Sequence, residues 1–292
     1  MIAVLVVATL SLKGGVGKTT VALGLAGAAQ RHGVRSLVVD LDPQANATLA
    51  LDPGPTIATV ADVLDEPRRT ALHDAIAPSG WGEGLDVLVG AEQAERHNHP
   101  EPSAKQLGRL SRALQRLADT DGLGTADTGT DTEPSADEPY RLVIIDCPPS
   151  LGQLTRSALV AAQRAVLVTD PTMFAVSGVQ RAFEAVQTTR QSSNPDLQPL
   201  GVVINRVRPR NTEHDFRIAE LRELFGPLVL TGLLPDRSAI QQAQGACLPI
   251  QRWDTPGGRE ASAVFTLLLG RVLRSQRPRR VRSGTTAQPG TP

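Results

Sequence analysis

Cysteine is nearly missing from this chain. Only Cys147 and Cys247 occur in 292 residues, and they never form a Cys-x-x-Cys pair. That excludes zinc ribbons and clustered iron–sulfur ligand sets. It equally excludes a disulfide scaffold, so a reducing cytoplasm is the default compartment. Aromatic residues are 3% of the total, too few for single-strand binding by base stacking. Neither sign of charge dominates, with 30 basic and 30 acidic residues. A strongly basic nucleic-acid binder and a polyanion are both excluded as whole-chain readings. No apolar run reaches 18 residues, so nothing is expected to span a membrane. The apolar start, residues 2–12, has no basic residue before it and no small-residue cleavage site after it. It is not read as a signal peptide. Lysine is scarce too: of the 30 basic residues only Lys13, Lys18 and Lys105 are lysines, and two of them share one loop. A compact ammonium is evidently required there, where a planar guanidinium does not substitute.

What is present is a core-forming composition, 40% hydrophobic and 21% charged. Short runs rich in Val, Ile and Leu recur at 2–10, 35–41, 85–90, 141–146, 164–169, 200–205 and 227–234. They lack polar alternation, as strands buried on both faces do. Helical patterns intervene at about 18–32, 103–118, 152–163, 175–191, 212–224 and 258–274. The alternation predicts an α/β fold: one doubly wound, mostly parallel sheet of about seven or eight strands in a single domain, residues 1–274. Residues 119–139 hold seven acids and no base, and are expected to be a disordered acidic insertion. Residues 275–292 are expected to be a basic disordered tail.

Residues 13–20 read Lys-Gly-Gly-Val-Gly-Lys-Thr-Thr, between the first strand and the first helix. A helix N-terminus and a glycine-rich turn together present backbone N–H groups to an anion. Gly14, Gly15 and Gly17 let the backbone approach phosphates closely, with Val16 and Thr20 completing the nucleotide cradle. Lys18 is placed to reach the β/γ-phosphates, and Thr19 Oγ to ligate Mg²⁺.

The ordinary phosphate-loop pattern requires glycine where this chain has Leu12, and Lys13 follows instead. The arrangement KGGVGKT resembles the deviant Walker A motif of the ParA/MinD family of dimerising ATPases, most closely the ParA-type, Soj-like partitioning members. The resemblance runs through nearly the whole chain apart from the acidic insertion and the tail. It implies a P-loop NTPase fold, ATP and Mg²⁺ as cofactors, slow partner-stimulated hydrolysis to ADP and phosphate, and an ATP-dependent homodimer. It also implies that Lys13 crosses the dimer interface to the partner's nucleotide, acting catalytically as an arginine finger does.

Carboxylates supply the remaining chemistry. Asp40 and Asp42 lie at i and i+2 on one face where a strand ends, the end at which α/β folds place ligands. By themselves they are equally a pair of aspartates capping a turn before Pro43. The segment DLDPQANAT resembles the family's own, with Ala45 in place of its usual glycine. In that family Asp42 would position or activate the attacking water and Asp40 would stand behind Mg²⁺. LVIIDCPPS is a Walker B pattern, in which Asp146 holds Mg²⁺ and Pro148 and Pro149 stiffen a switch loop. Cys147 is read as a small buried hydrophobe rather than a nucleophile. Asn205 and Pro235 match family positions beside the adenine, the reading preferred for Asn205, although asparagine also suits a strand-end turn.

The resemblance further implies DNA segregation. ATP hydrolysis would release the dimer from non-specific duplex DNA, a ParB-like protein would activate it, and the protein would be cytoplasmic and nucleoid-associated. Candidate DNA contacts are Arg206, Arg208, Arg210 and Arg217, with Arg277, Arg279, Arg280 and Arg282 of the tail; solvated loop arginines are the plain alternative. A second basic family position falls on Ala239. The short leader before the first strand predicts no N-terminal helix-turn-helix. The alternatives are positioning of a protein cargo and, less favoured, a MinD-like membrane-surface ATPase. The stretch 261–274 is more economically the last core helix than a membrane anchor, and no large apolar residue follows it in RSQRPRR.

Overall fold

A computed structural model describes residues 4–120 and 138–276. The tail arginines Arg277, Arg279, Arg280 and Arg282, and all of the acidic segment except residues 119, 120, 138 and 139, lie outside the described residues.

The chain begins with β1 (Leu5–Leu10), α1 (Lys18–Arg31), β2 (Ser36–Asp40), α2 (Asn46–Leu51), α3 (Val60–Asp65) and α4 (Arg69–Ala75). It continues with β3 (Ile76–Pro78), β4 (Leu85–Leu88), α5 (Ala104–Leu107), α6 (Arg109–Thr120), β5 (Leu142–Asp146) and α7 (Gln153–Ala161). β6 (Arg164–Thr169), α8 (Ala175–Ser192), β7 (Gln198–Ile204), α9 (Thr212–Phe225), α10 (Ser238–Gly245) and α11 (Pro256–Arg274) follow.

Seven strands form one sheet in the order β3-β4-β2-β5-β1-β6-β7. Every neighbouring pair is parallel except β3–β4. β1, β2, β4, β5 and β6 are buried along their whole length, because helices cover both faces and leave no solvated side to favour polar alternation. Two apolar layers result. One holds α3, α6, α7 and α8 against the sheet; the other holds α1, α10 and α11.

Pairing register sets what meets at the carboxyl edge. Thr9 on β1 and Asp40 on β2 both stand opposite Asp146 on β5. The ends of β1, β2 and β5 thus converge on one point, outside which ligands bind in such sheets.

The expected sheet is observed, with three differences. Residues 227–234 are not a ladder strand: a 3-10 turn (Gly226–Leu228) is followed by one isolated bridge from Val229 to Val202. Pro227 lacks a donor and Gly226 takes φ 51°, so the segment runs beside β7 without pairing continuously. The helix expected over 103–118 is broken at Gly108 into α5 and α6, and α6 runs on to Thr120, two residues into the segment expected to be an acidic loop. The short antiparallel β3, and α2, α3, α4 and α10, have no counterpart in the sequence reading.

α11 is a core helix, as expected: Ala261, Phe265, Leu268, Leu269 and Val272 are buried on one side. Its N-terminus is capped by Thr255, whose hydroxyl accepts from Gly258 N at 3.1 Å, with Pro256 in the first turn, where a missing N–H costs nothing. Gly24 of α1 lets the helix lie against Phe265; a Cβ there would sit 2.2 Å from the ring. Gly24→Ala should therefore destabilise the fold by about 1–3 kcal/mol through overpacking, read as a lower midpoint in equilibrium urea unfolding. An unchanged midpoint would show that the α1–α11 contact tolerates a methyl group.

Candidate functional site

The loop between β1 and α1 is an open cradle. Gly15 and Gly17 take φ of 76° and 96°, values at which a side chain is strained. A Cβ on Gly14 or Gly15 would meet nothing within 4 Å, so the backbone there faces free space. Val16 is fully buried beneath it, anchoring the loop. The first turn of α1 carries no acidic residue, which leaves the positive end of the helix dipole for an anion. Lys18 is only 6% exposed, and a buried ammonium requires an anionic partner.

Asp146 is fully buried at the end of β5. Its Oδ1 is 3.4 Å from Thr9 Oγ1, and its Oδ2 has no hydrogen-bond partner. Burial, together with the neighbouring Asp40, holds its pKa well above the usual carboxylate range, while Thr19 and Lys18 pull the other way. Asp40 is also raised, first by burial. Its oxygens are otherwise committed: Oδ2 accepts from Thr48 N and Thr48 Oγ1, both at 2.8 Å, and Oδ1 from Asp42 N at 3.2 Å. Asp40 thus ties the strand end to α2. Asp42 accepts from Gln44 N at 3.0 Å through Oδ1.

A divalent cation fits this arrangement. Two neighbouring buried carboxylates and an unpartnered oxygen form a site that positive charge would relieve. No described cluster of three or more His, Cys, Asp or Glu could hold a metal alone, so the protein offers a partial shell. That suits Mg²⁺, which keeps waters and takes one or two carboxylates plus substrate phosphates.

Residues 7–250 match the family described as the CobQ/CobB/MinD/ParA nucleotide binding domain. The chain belongs to this family. It is 29% identical over 283 residues to the chromosome partitioning protein ParA of Caulobacter vibrioides, covering 95% of this chain and 97% of that one. It is 32% identical to the chromosome-partitioning ATPase Soj of Thermus thermophilus, covering 81% and 83%. Among solved structures, cobyrinic acid a,c-diamide synthase from Mycobacterium smegmatis, with an ATP analogue and magnesium bound, superposes with TM-score 0.71 at 26% identity, over 93% and 95% of the two chains. The ATP complex of a Cyanothece McdA variant superposes with TM-score 0.75 at 19% identity, over 91% and 96%, a likeness of fold.

Within this ParA/MinD-type chain the other sequence candidates fall as follows. Lys13 is held inside its own chain: Nζ donates to Asp170 Oδ1 and Oδ2 at 3.0 and 2.9 Å and to Thr172 Oγ1 at 3.0 Å. Sequence reasoning missed Asp170 and Thr172. The signal was present, because RAVLVTDPT repeats the apolar-strand–Asp–Pro pattern that follows β2 in LVVDLDP. Asn205 is 3% exposed, and its amide donates to Val16 O at 2.7 Å, where a Cβ on Gly17 would collide with it. The residue that follows β7 therefore braces the phosphate loop directly. Thr20 Oγ1 accepts from Gln244 Nε2 at 3.3 Å. Pro235 is buried and bridges to Val207 near Asn205, at the same sheet edge. Cys147 is fully buried with its thiol pKa pushed up, in line with a packing role.

The four described arginine candidates divide. Arg208 pairs with Asp236 at 2.7 Å. Arg217 pairs with Glu213 and Glu220 on its own helix and lies over the Phe216 ring. Arg206 and Arg210 are exposed, adopt left-handed φ of 56° and 58°, and have no carboxylate partner among the described residues. Ala239 is buried, and Arg237 pairs with Glu260 at 2.9 Å.

Ala45 carries backbone strain. It caps α2 with φ 52°, and left-handed backbone costs a non-glycine residue roughly 1–2 kcal/mol. Ala45→Gly should raise stability by up to about 1 kcal/mol, since glycine's own entropy cost offsets part of the relief. The check is the change in thermal midpoint. A fall in stability would show that the methyl group packs usefully.

Proposed function

We propose that this chain is an ATP-dependent dimerising ATPase that acts as a nucleotide switch in DNA partitioning, cytoplasmic and nucleoid-associated, with a ParB-like activating partner. The observation that carries it is the pairing of an open phosphate cradle with the unpartnered Asp146 oxygen and a second lysine, Lys13, held in the same loop. Similarity to partitioning ATPases over most of both chains supports the same reading.

In this reading Gly14, Gly15, Val16, Gly17, Thr19 and Thr20 present the loop to the ATP phosphates, and Lys18 meets the β/γ-phosphates. Thr19 and Asp146 would hold Mg²⁺, with Asp40 behind them; the ion neutralises charge developing on the phosphoryl oxygens. Asp42 has one oxygen anchored by Gln44 N, which leaves the other to orient water. Asn205 fixes the loop through Val16, and with Pro235 stands at the edge where the base would lie. Lys13 leaves Asp170 and reaches the partner's nucleotide. Nucleotide chemistry belongs to residues 1–274, with the acidic segment 119–139 and the stretch 275–292 dispensable for it.

Three variants test this. Asp42→Ala should keep ATP binding and cut turnover by about 10²–10⁴, the usual worth of a positioned base, leaving an ATP-stabilised dimer visible by light scattering. Lys13→Ala should bind ATP yet lose turnover. Asp170→Ala should dimerise at lower ATP than the native chain, because Lys13 loses its internal partner. Wild-type turnover in Lys13→Ala would sink the mechanism.

DNA contact in the proposed dimer rests on Arg206 and Arg210. Two per subunit, each neutralising one phosphate at about −0.9 per contact, give a slope of log K against log salt of about −3 to −4. Filter binding of random duplex across a salt series measures it, with Arg206→Ala/Arg210→Ala expected to flatten the slope. A steeper slope that shortens on removal of residues 275–292 would assign the remainder to the tail arginines Arg277, Arg279, Arg280 and Arg282. Binding equally tight with ADP and ATP, or absent with both, would favour the second reading: positioning of a protein cargo. The pairing of Arg208, Arg217 and Arg237 with acids favours that reading, because it leaves two of the four described arginine candidates, Arg206 and Arg210, without a carboxylate partner among the described residues.

A further inference from the structure

Every residue of β1 is buried, and Thr9 is the polar one among them. Leu5, Val7 and Thr9 alternate onto the same side of the strand, and Leu5 and Val7 join the apolar layer under α1. Valine has the shape of threonine and would complete that layer. Packing therefore gives no reason for a hydroxyl at position 9. A buried hydroxyl is costly unless it is hydrogen-bonded, so its partners matter.

Thr9 has no exposed surface, which keeps bulk water from serving it. Two acceptors lie within reach of its single proton: Ile145 O at 3.1 Å and Asp146 Oδ1 at 3.4 Å. Both belong to the end of β5, where Thr9 and Asp146 pair directly across the ladder. The two acceptors are unequal once Asp146 carries its charge. A bond to an ionised carboxylate is roughly twice as strong as one to a neutral carbonyl, so the proton then goes to Oδ1.

Orientation is what this bond supplies. The carboxylate torsion of aspartate is broad and roughly two-fold, so burial alone does not settle which oxygen faces outward. Asp40 is settled by three hydrogen bonds. Asp146 has Thr9 on Oδ1 and no hydrogen-bond partner on Oδ2, while Lys18 and Thr19 act on the carboxylate from the first turn of α1. With Oδ1 turned to Thr9, Oδ2 is the oxygen left for a cation.

We infer that Thr9 is a positioning residue for the metal site: its hydroxyl donates to Asp146 Oδ1 and so presents Oδ2 to Mg²⁺. The inference rests on the proposed role of Asp146. It adds a residue that lies outside the phosphate loop and acts through the carboxylate, not by contact with nucleotide or metal.

The test uses the full chain and ADP, which has no γ-phosphate to hydrolyse. Calorimetry gives the ADP affinity in EDTA and across a Mg²⁺ series. In the native chain Mg²⁺ should tighten ADP binding. Thr9→Val keeps the shape and deletes the donor. It should bind ADP as the native chain does in EDTA, yet need about tenfold more Mg²⁺ for half the tightening, the lower end of what hydrogen-bond partners of metal ligands contribute. Thr9→Ser keeps the hydroxyl and should restore the native Mg²⁺ requirement, although it removes a buried methyl group. A packing defect would instead weaken ADP in EDTA as well, or be shared by Thr9→Ser. Either result overturns the inference, as does a native Mg²⁺ requirement in Thr9→Val. If Mg²⁺ leaves ADP affinity unchanged in the native chain, the metal role of Asp146 falls and that of Thr9 with it.

Discussion

The structure turns on two carboxylates buried side by side. Asp40 and Asp146 end adjacent parallel strands in direct register, and both are fully buried. Like charges so placed in a low-dielectric interior cannot both ionise cheaply. Burial therefore holds both pKa values up. The surroundings answer Asp40 with three hydrogen bonds and leave Asp146 with an open oxygen. The asymmetry gives the pair separate tasks. Asp40 is spent on architecture, holding α2 and the Asp42 turn, while Asp146 keeps capacity for a cation. The nearby Lys18 and the N-terminus of α1 extend the same logic, because positive groups gather where phosphate charge would be neutralised.

Much of this was legible in the sequence because the signals were local. Strands buried on both faces announce themselves as unbroken apolar runs, and β1, β2, β4, β5 and β6 fall within the expected segments, with β7 starting two residues early. A loop such as KGGVGKT carries its own geometry, since glycines at φ 76° and 96° are needed wherever the backbone turns to face an anion. Short helices were not legible. α2, α3 and α4 are six or seven residues each, below the length at which helical periodicity can be read. Tertiary bonds such as Thr48 to Asp40 hold them in place. The apolar run 227–234 misled in the opposite sense. It has strand composition, but Pro227 and the turn at Gly226 deny it a ladder.

Side-chain partnership was the least legible layer. Lys13 and Asp170 are 157 residues apart, and Asn205 and Val16 are 189 apart. Only the strand order, which sets β6 and then β7 beside β1, brings them together. The arginines make the same point. By sequence Arg206, Arg208, Arg210 and Arg217 are equivalent, yet two are neutralised by acids that the fold delivers from Asp236 and from α9 itself. Counting basic residues in a segment overstates the charge it presents.

The Lys13–Asp170 pair bears on how a switch can be reversible. Lys13 is 38% exposed and Asp170 14%, so the pair lies between an exposed one, worth about 0–1 kcal/mol, and a buried one. Release of Lys13 therefore costs less than breaking a buried pair, and a competing phosphate oxygen has correspondingly less to make up. Had the pair been fully buried, removing one partner would strand a charge at about 3–5 kcal/mol, and a nucleotide would have to supply that difference. Population shift demands differential affinity, not tight binding. In the proposed reading, a weak internal clamp lets modest nucleotide affinity move the lysine, while Asp170 stays positioned to recapture it when the phosphate leaves. The clamp and the carboxylate pair thus act at opposite strengths: the buried aspartates resist rearrangement, and the half-exposed lysine permits it.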